Sequence, residues 1–322
     1  MALQHTDPMM RIARDVAGPC LAPHGSVLAV GALDGLHRGH QALLARVRER
    51  AAALSLMPLA ISFEPLPRAF FARAPLPRLG SVRDKIEGLA AAGMQAALLL
   101  RFNAALAALS AEDFVHRALL SRCGAREVWV GEDFRFGHAR GGDLALLRRM
   151  GAEAGFAAHP LETHQHAGRR ISSSAIRAAL AGGDFAAAAA LLGRPFTIGG
   201  RVLRGQQLGR LLGFPTANIR LGRRVSPIQG IFAVRVHGVA GHAMPGVASL
   251  GLRPTVGGRE VLLEAHLFDY AGDLYGRHVS VEFVAKLRDE EKFADLDALT
   301  RQMHRDAAAA RDVLALSFPI SA

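Results

Sequence analysis

The chain has 322 residues, with 39 Lys+Arg against 28 Asp+Glu and a formal net charge of +11. At roughly 100–200 residues per domain, this length favours two domains. Half of the residues are hydrophobic, which excludes global disorder, and no apolar run reaches the roughly 18–20 residues needed to span a membrane. Cys20 and Cys123 form neither a disulfide framework nor a thiolate metal motif. The segment Met1–Pro19 carries scattered charges and no apolar h-region, so no secretory signal is expected and the cytoplasm is the expected location. Lysine occurs only at Lys85, Lys286 and Lys292; the remaining positive charge is Arg, spread over both halves. That distribution, with one Trp and two Tyr, argues against a nucleic-acid surface and suits phosphate-bearing small molecules.

In chain order, Val27–Gly31, Leu59–Phe63, Ala97–Phe102, Glu127–Gly131 and Phe156–Leu161 read as short buried strands. Helical patterns separate them; in the first, Leu43, Leu44, Val47, Ala51 and Leu54 fall on one side. Ser81 with Asp84, and Ser110 with Asp113, read as capping pairs, and Gly93 and Gly124 as C-terminal caps. Regular βαβ alternation with continuously apolar strands predicts a doubly wound parallel sheet over residues 1–190. After the Ala-rich helix Asp184–Leu192 the pattern changes. Ile231–His237, Val261–Phe268 and Val279–Leu287 alternate with period two or nearly so, and residues 250–256 read as a Gly/Pro turn. A last helix carries Phe293, Leu296, Leu299 and Met303 on one face. Residues 191–322 are thus expected to form an antiparallel sandwich or small barrel closed by a C-terminal helix.

The first strand ends at Gly31 and runs through Asp34-Gly35-Leu36-His37-Arg38-Gly39-His40 into a helix. A strand–turn–helix sets backbone N–H groups and a positive helix end at the carboxyl edge of the sheet, a seat for phosphate. The spacing fits neither a Walker A loop nor GxGxxG. His37 and His40 are placed to donate to one anion; a solvated loop and an incomplete zinc pair are the plain alternatives. Ser172-Ser173-Ser174 followed by Arg177 offers donors at a second helix start, or simply an N-cap with a surface Arg. Phe63, and Asp133 with Phe134, end two strands and are either core or a platform for a flat ring.

In the second half, Gly200 to Gly205 and Gly209-Arg210 precede Pro215-Thr216-Ala217-Asn218. Glycines beside a basic residue let the backbone approach phosphates. On an extended segment the oxygens of Thr216 and Asn218 face one way, as hard ligands for Mg²⁺ or as partners for backbone groups in a turn. Glu264 interrupts an apolar run and either faces solvent or is put to use.

Taken together, GALDGLHRGH, FEP, VGEDFRFG and ISSSAIR closely resemble the adenylyltransferase half of the bifunctional bacterial riboflavin kinase/FAD synthetases, HxGH nucleotidyltransferases. GRLLGFPTAN, GVASLGLRPTV, LLEAHLFDYAGDLYG and LRDEEKF resemble their kinase half, a six-stranded barrel with a C-terminal helix. The resemblance implies that His37, His40 and Arg177 act on ATP phosphates, with Gly31, Asp34, Gly39 and Ser172–Ser174 shaping that pocket. It also implies flavin contacts from Phe63, Asp133 and Phe134. In the kinase half it makes Glu264 the catalytic base, Thr216 and Asn218 the Mg–ATP site, and Gly200, Gly205 and Arg210 nucleotide-holding residues. Riboflavin, FMN and ATP are the implied substrates, with Mg²⁺ accompanying ATP. The sequence departs from the family pattern at Ala32, Leu33, Leu66, Ser249 and Gln206–Gln207. The first three leave open a kinase whose N-terminal half only binds nucleotide or flavin.

Overall fold

The computed structural model describes residues 10–162, 165–166, 168–205, 209, 212–222, 225–255 and 258–316. Contacts divide the chain into two compact units, Met1–Leu76 with Val82–Ser172, and Pro77–Ser81 with Ser173–Ala322.

The first unit contains β1 (Arg11–Ala13), β2 (Ser26–Val30), α1 (Arg38–Leu54), β3 (Met57–Glu64), α2 (Pro67–Phe71), α3 (Val82–Ala91) and β4 (Ala96–Arg101). It continues with α4 (Ala104–Ala107), α5 (Ala111–Phe114) running into a π-helical stretch Val115–Arg122, β5 (Ala125–Gly131), α6 (Leu144–Ala154) and β6 (Ala157–Leu161). The small pair β7 (Gln165–His166) and β8 (Arg169–Arg170) follows. The main sheet has the order β1-β4-β3-β2-β5-β6, and every pairing in it is parallel. Every residue of β2 is buried, because Leu28 and Val30 face one core and Val27 and Ala29 the other. This explains the continuous apolar runs of the sequence. The chain steps outward from β2 through β3 to β4, then returns to place β5 on the other side of β2. The carboxyl ends of β2 and β5 therefore flank the point where connections diverge, the crevice in which such sheets bind ligands.

The second unit contains α7 (Ser173–Ala181), α8 (Phe185–Leu192), and six strands: β9 (Thr197–Leu203), β10 (Thr216–Gly222), β11 (Gly230–His237), β12 (Met244–Thr255), β13 (Gly258–Leu267) and β14 (His278–Arg288). They close as β10-β13-β12-β11-β14-β9, antiparallel throughout. The period of two does the sorting. Ala217, Ile219, Leu221, Leu263 and Ala265 fill the interior, while Thr216, Asn218 and Glu264 alternate to the outside. A last helix, α9 (Leu296–Leu316), lays Ala310 and Leu314 against Ala233 and Phe268.

Four local expectations are corrected. Residues 250–255 belong to β12 rather than to a turn, because Gly251 leaves room for the Glu290 carboxylate to lie against the strand. Gly200, which the resemblance implies to lie in a nucleotide-holding loop, lies within β9, where a larger residue would collide with Ile219. Leu54, the last residue of α1, is 42% exposed, since that helix has by then passed the core. Phe293 precedes α9 and lies under the Arg288 guanidinium, 5.7 Å from its ring centre, instead of sharing the helix face.

Candidate functional sites

In the first unit the β2–α1 connection gathers the expected phosphate-side residues into one turn. Leu33 (φ 48°) and Leu36 (φ 43°) are left-handed, as is Gly35 (φ 77°). For the two leucines this conformation is strained and must be held from outside. His37 caps α1: its Nδ1 accepts the His40 backbone N–H at 3.3 Å. The proton of the neutral ring therefore sits on Nε2, leaving that atom as donor. Gly39 keeps the space beside the His37 ring open; a Cβ there would lie 3.4 Å from it. The His37 and His40 rings stack with centroids 3.6 Å apart and planes 15° from parallel. Burial lowers the His37 pKa from 6.5 to about 4. It pushes His40 well below its usual value, helped by the neighbouring His37 and Lys85 charges. The pair is thus neutral near pH 7. His40 Nδ1 is buried without a hydrogen-bond partner, so a polar ligand group at that position would complete it. Asp34 in the same turn is 2% exposed.

At the same edge of the sheet lies an aromatic patch. Phe63, at the end of β3, is itself buried and meets Phe102 edge-on at 5.9 Å and Phe114 at 6.4 Å. The rings that reach solvent are Phe70 and Phe71 of α2, which surround Phe102 at 5.4 and 5.8 Å. After β5, Phe134 stacks on Phe136 at 5.5 Å, and Asp133 pairs with Arg170 at 2.6 Å. Sequence reasoning missed Phe70, Phe71 and Phe102, whose approach depends on β3 pairing with β4.

The serine turn falls on the division between the two units. Ser172 ends the first, whereas Ser173, Ser174 and Arg177 open α7 in the second. There Arg177 donates from Nε to the Pro77 carbonyl at 2.6 Å.

In the second unit Thr216, Asn218 and Glu264 meet on the outer face of the barrel. Glu264 stands directly opposite Asn218 on one side and Ser249 on the other. Such cross-strand neighbours sit roughly 4.5–5.5 Å apart at Cβ. Asn218 is 7% exposed and donates from Nδ2 to the Thr216 carbonyl at 3.1 Å, and its whole amide group, Oδ1 included, lies against Gly205. A Cβ at Gly205 would lie 2.6 Å from that oxygen, so the backbone there approaches the amide as only glycine permits. Thr216 and Asn218 line a cavity of about 660 Å³ together with Arg204, Tyr270, Asp273 and Tyr275. Arg204 lies over the Tyr275 ring at 5.2 Å. Among the described residues no three His, Cys, Asp or Glu side chains cluster as a metal cage. The donors at Thr216 and Asn218 are hard oxygens, a set that fits a divalent cation retaining phosphate and water as its other ligands. Arg210 and Gln206–Gln207 lie outside the described residues.

Comparison with known proteins covers both units. Residues 21–175 match the FAD synthetase family (FAD_syn), and residues 192–314 match the riboflavin kinase family (Flavokinase). The chain is 44% identical over 312 residues to the bifunctional riboflavin kinase/FMN adenylyltransferase of Escherichia coli (strain K12), covering 96% of this chain and all of that protein. The protein of the same description from Pseudomonas fluorescens is 46% identical over 294 residues, covering 91% of this chain and 94% of its own length. That from Haemophilus influenzae is 39% identical over 303 residues, covering 94% and 98%. Among solved structures, a macrolide-efflux protein from Streptococcus pneumoniae matches with TM-score 0.77 and 26% identity, covering 94% of this chain and 99% of that chain. Its likeness supports the fold and nothing about transport. Among the described residues no helix is long and apolar enough to cross a membrane.

Proposed function

The chain belongs to the bifunctional riboflavin kinase/FMN adenylyltransferase family, and from that premise we propose how its residues divide the work. Riboflavin is phosphorylated by ATP to FMN in residues 191–322, and FMN receives an adenylyl group from a second ATP in residues 1–190, giving FAD and pyrophosphate. What carries this reading is the presence in one chain of the neutral His37–His40 pair at the sheet crevice and the Thr216–Asn218–Glu264 row on the barrel.

In the kinase half, Glu264 accepts the proton of the riboflavin 5′-hydroxyl as that oxygen attacks the γ-phosphorus of ATP and ADP leaves. Thr216 Oγ1 and Asn218 Oδ1 would hold Mg²⁺, which when bound offsets the negative charge of the phosphates. Gly200, Gly205 and Arg210 hold the nucleotide. In the adenylyltransferase half, an FMN phosphate oxygen attacks the α-phosphorus of ATP. That oxygen is already ionised near pH 7, so no general base is needed and the site has to supply donors. Neutral His37 and His40 suit this role, as a neutral imidazole keeps one N–H to donate. Gly31, Asp34 and Gly39 shape the turn, and Ser172, Ser173, Ser174 and Arg177 act on the pyrophosphate through the family motif. Phe63, Asp133 and Phe134 meet the flavin, with the solvent-facing rings of Phe70 and Phe71 beside them. The cytoplasm, with its ATP supply, is the compartment this reading implies.

The test is chromatography of riboflavin incubated with purified protein, ATP and Mg²⁺. FMN should appear first and FAD afterwards. FMN accumulating without FAD from folded protein would confine activity to the barrel half, and absence of FMN would overturn the kinase assignment.

A further inference from the structure

Lys85 is 4% exposed, an unusual place for an ammonium group unless every proton finds a partner. It projects from α3 into the top of the parallel sheet. There its Nζ donates to the Ala32 carbonyl at 3.0 Å, to Ser62 Oγ at 3.1 Å and to the Phe63 carbonyl at 3.2 Å, with the Glu64 carboxylate at 3.8 Å. Ser62 Oγ donates to the same Ala32 carbonyl at 2.9 Å. Ala32 follows β2 and precedes the left-handed Leu33 that starts the histidine turn, whereas Phe63 closes β3 beneath the aromatic patch. One buried charge therefore fastens the exits of two neighbouring strands, one leading to the histidines and the other to the aromatic rings.

The rest of α3 supports the same turn. Gly88, three residues from Lys85 and so on the same helix face, gives the space that the Leu36 side chain occupies. Gln41 Nε2 fixes the Leu36 carbonyl at 2.8 Å from the α1 side. A turn holding two non-glycine residues at positive φ persists only where its surroundings over-determine it. Of the groups that hold this turn, the Lys85 amino group and the Ser62 hydroxyl also reach β3, and Lys85 alone of the two comes from α3.

We propose that Lys85 is a positioning residue for adenylyl transfer: by tying the Ala32 and Phe63 carbonyls together it sets the spacing between the histidine turn, where ATP reacts, and the aromatic patch, where the flavin sits. Lys85 touches neither substrate; it acts through the two strand ends. This rests on the adenylyltransferase reading given above.

The experiment uses the full-length chain and compares wild type with Lys85→Met, which keeps the length and apolar stem of the side chain while removing the ammonium. Three quantities are read: the kcat and KM of FAD formation from FMN, FMN formation from riboflavin, and the FMN-binding stoichiometry of the N-terminal half by flavin fluorescence. Misplacing reacting groups by about 1 Å costs up to about a hundredfold in rate. Lys85→Met should therefore lower kcat for FAD formation by about tenfold to a hundredfold, with KM for ATP changed by less than about threefold. Binding stoichiometry and FMN formation should stay at wild-type values. Lys85→Arg, a cation of different reach, should recover only part of the rate. An unchanged kcat in Lys85→Met would overturn the proposal, and so would a loss of FMN-binding stoichiometry in proportion to activity, since that marks a purely structural lysine. Should Lys85→Met fail to fold, Ser62→Ala removes the second donor on the Ala32 carbonyl. A several-fold fall in kcat at full stoichiometry then supports the proposal, and wild-type kcat overturns it. Wild-type protein that makes no FAD from FMN would instead sink the adenylyltransferase reading itself, which separates the two failures.

Discussion

The two sites are built by opposite means. The one on the barrel is written directly on strands: Thr216 and Asn218 share a face because they are two residues apart, and register brings Glu264 opposite Asn218. The one on the parallel sheet is a turn, whose backbone conformations at Leu33 and Leu36 are unfavourable by themselves and are held by a lysine, a serine and a glutamine from three other places in the sequence. A strand site inherits its geometry from the sheet, whereas a turn site needs its own supports. The first should therefore tolerate change around it, and the second should be sensitive to residues that never meet substrate.

The sharpest way to break this comparison is a reciprocal pair of variants. Glu264→Gln should slow FMN formation by about 10²–10⁴-fold, the usual worth of a general base, with FAD formation from added FMN unaffected. His40→Ala should abolish FAD formation and leave FMN formation intact. Separate assays of the two products check both, and loss of both activities in either folded variant would contradict separate sites. A smaller effect is expected from Gly205→Ala, whose new methyl group would press on Asn218 Oδ1 at 2.6 Å. The KM for metal–ATP in FMN formation should rise by on the order of tenfold, while adenylyl transfer keeps its KM.

The mildest effect is on stability. Because the folded state holds His37 near pKa 4 against 6.5 unfolded, the unfolded chain binds more protons between those values. The associated stability is fully present above pH 6.5 and is lost as pH falls toward 4, by about 3 kcal/mol in total. Thermal unfolding of wild type followed from pH 7.5 to pH 4.5 should show the N-terminal half weakening more steeply than in His37→Gln. Parallel curves would mean that the ring is not held neutral.

The same contrast explains what could be read from the sequence. The strands of both halves were visible because each has a simple period: unbroken apolar runs in β2 and β3, alternation in β11 and β14. Glu264 stands out as a polar interruption of such a pattern, Thr216 and Asn218 as same-facing oxygens after a glycine-rich basic segment, and His37 and His40 as imidazoles at a strand–helix junction. Lys85 gave no such signal. On a helical pattern one lysine reads as solvated surface, and its carbonyl partners at Ala32 and Phe63 are backbone atoms that every residue possesses. Phe102 and Phe71 are about thirty residues apart and meet only because β3 and β4 pair in parallel. Gly251 was misleading for a definite reason. Read locally it punctuates a turn, but within β12 its missing side chain is replaced by a carboxylate arriving from residue 290.

The alternation along β10 and β13 has a consequence for how this half of the chain can change over time. Its interior positions, Ala217, Ile219, Leu263 and Ala265, and its reactive positions, Asn218 and Glu264, occupy opposite surfaces of the same ribbon. Mutational drift or deliberate thermostabilisation can therefore rework the inside of the barrel by volume-conserving exchanges while the chemistry outside keeps its coordinates. A fold arranged in this way can gain robustness and adjust specificity along separate lines of descent, without either being traded for the other.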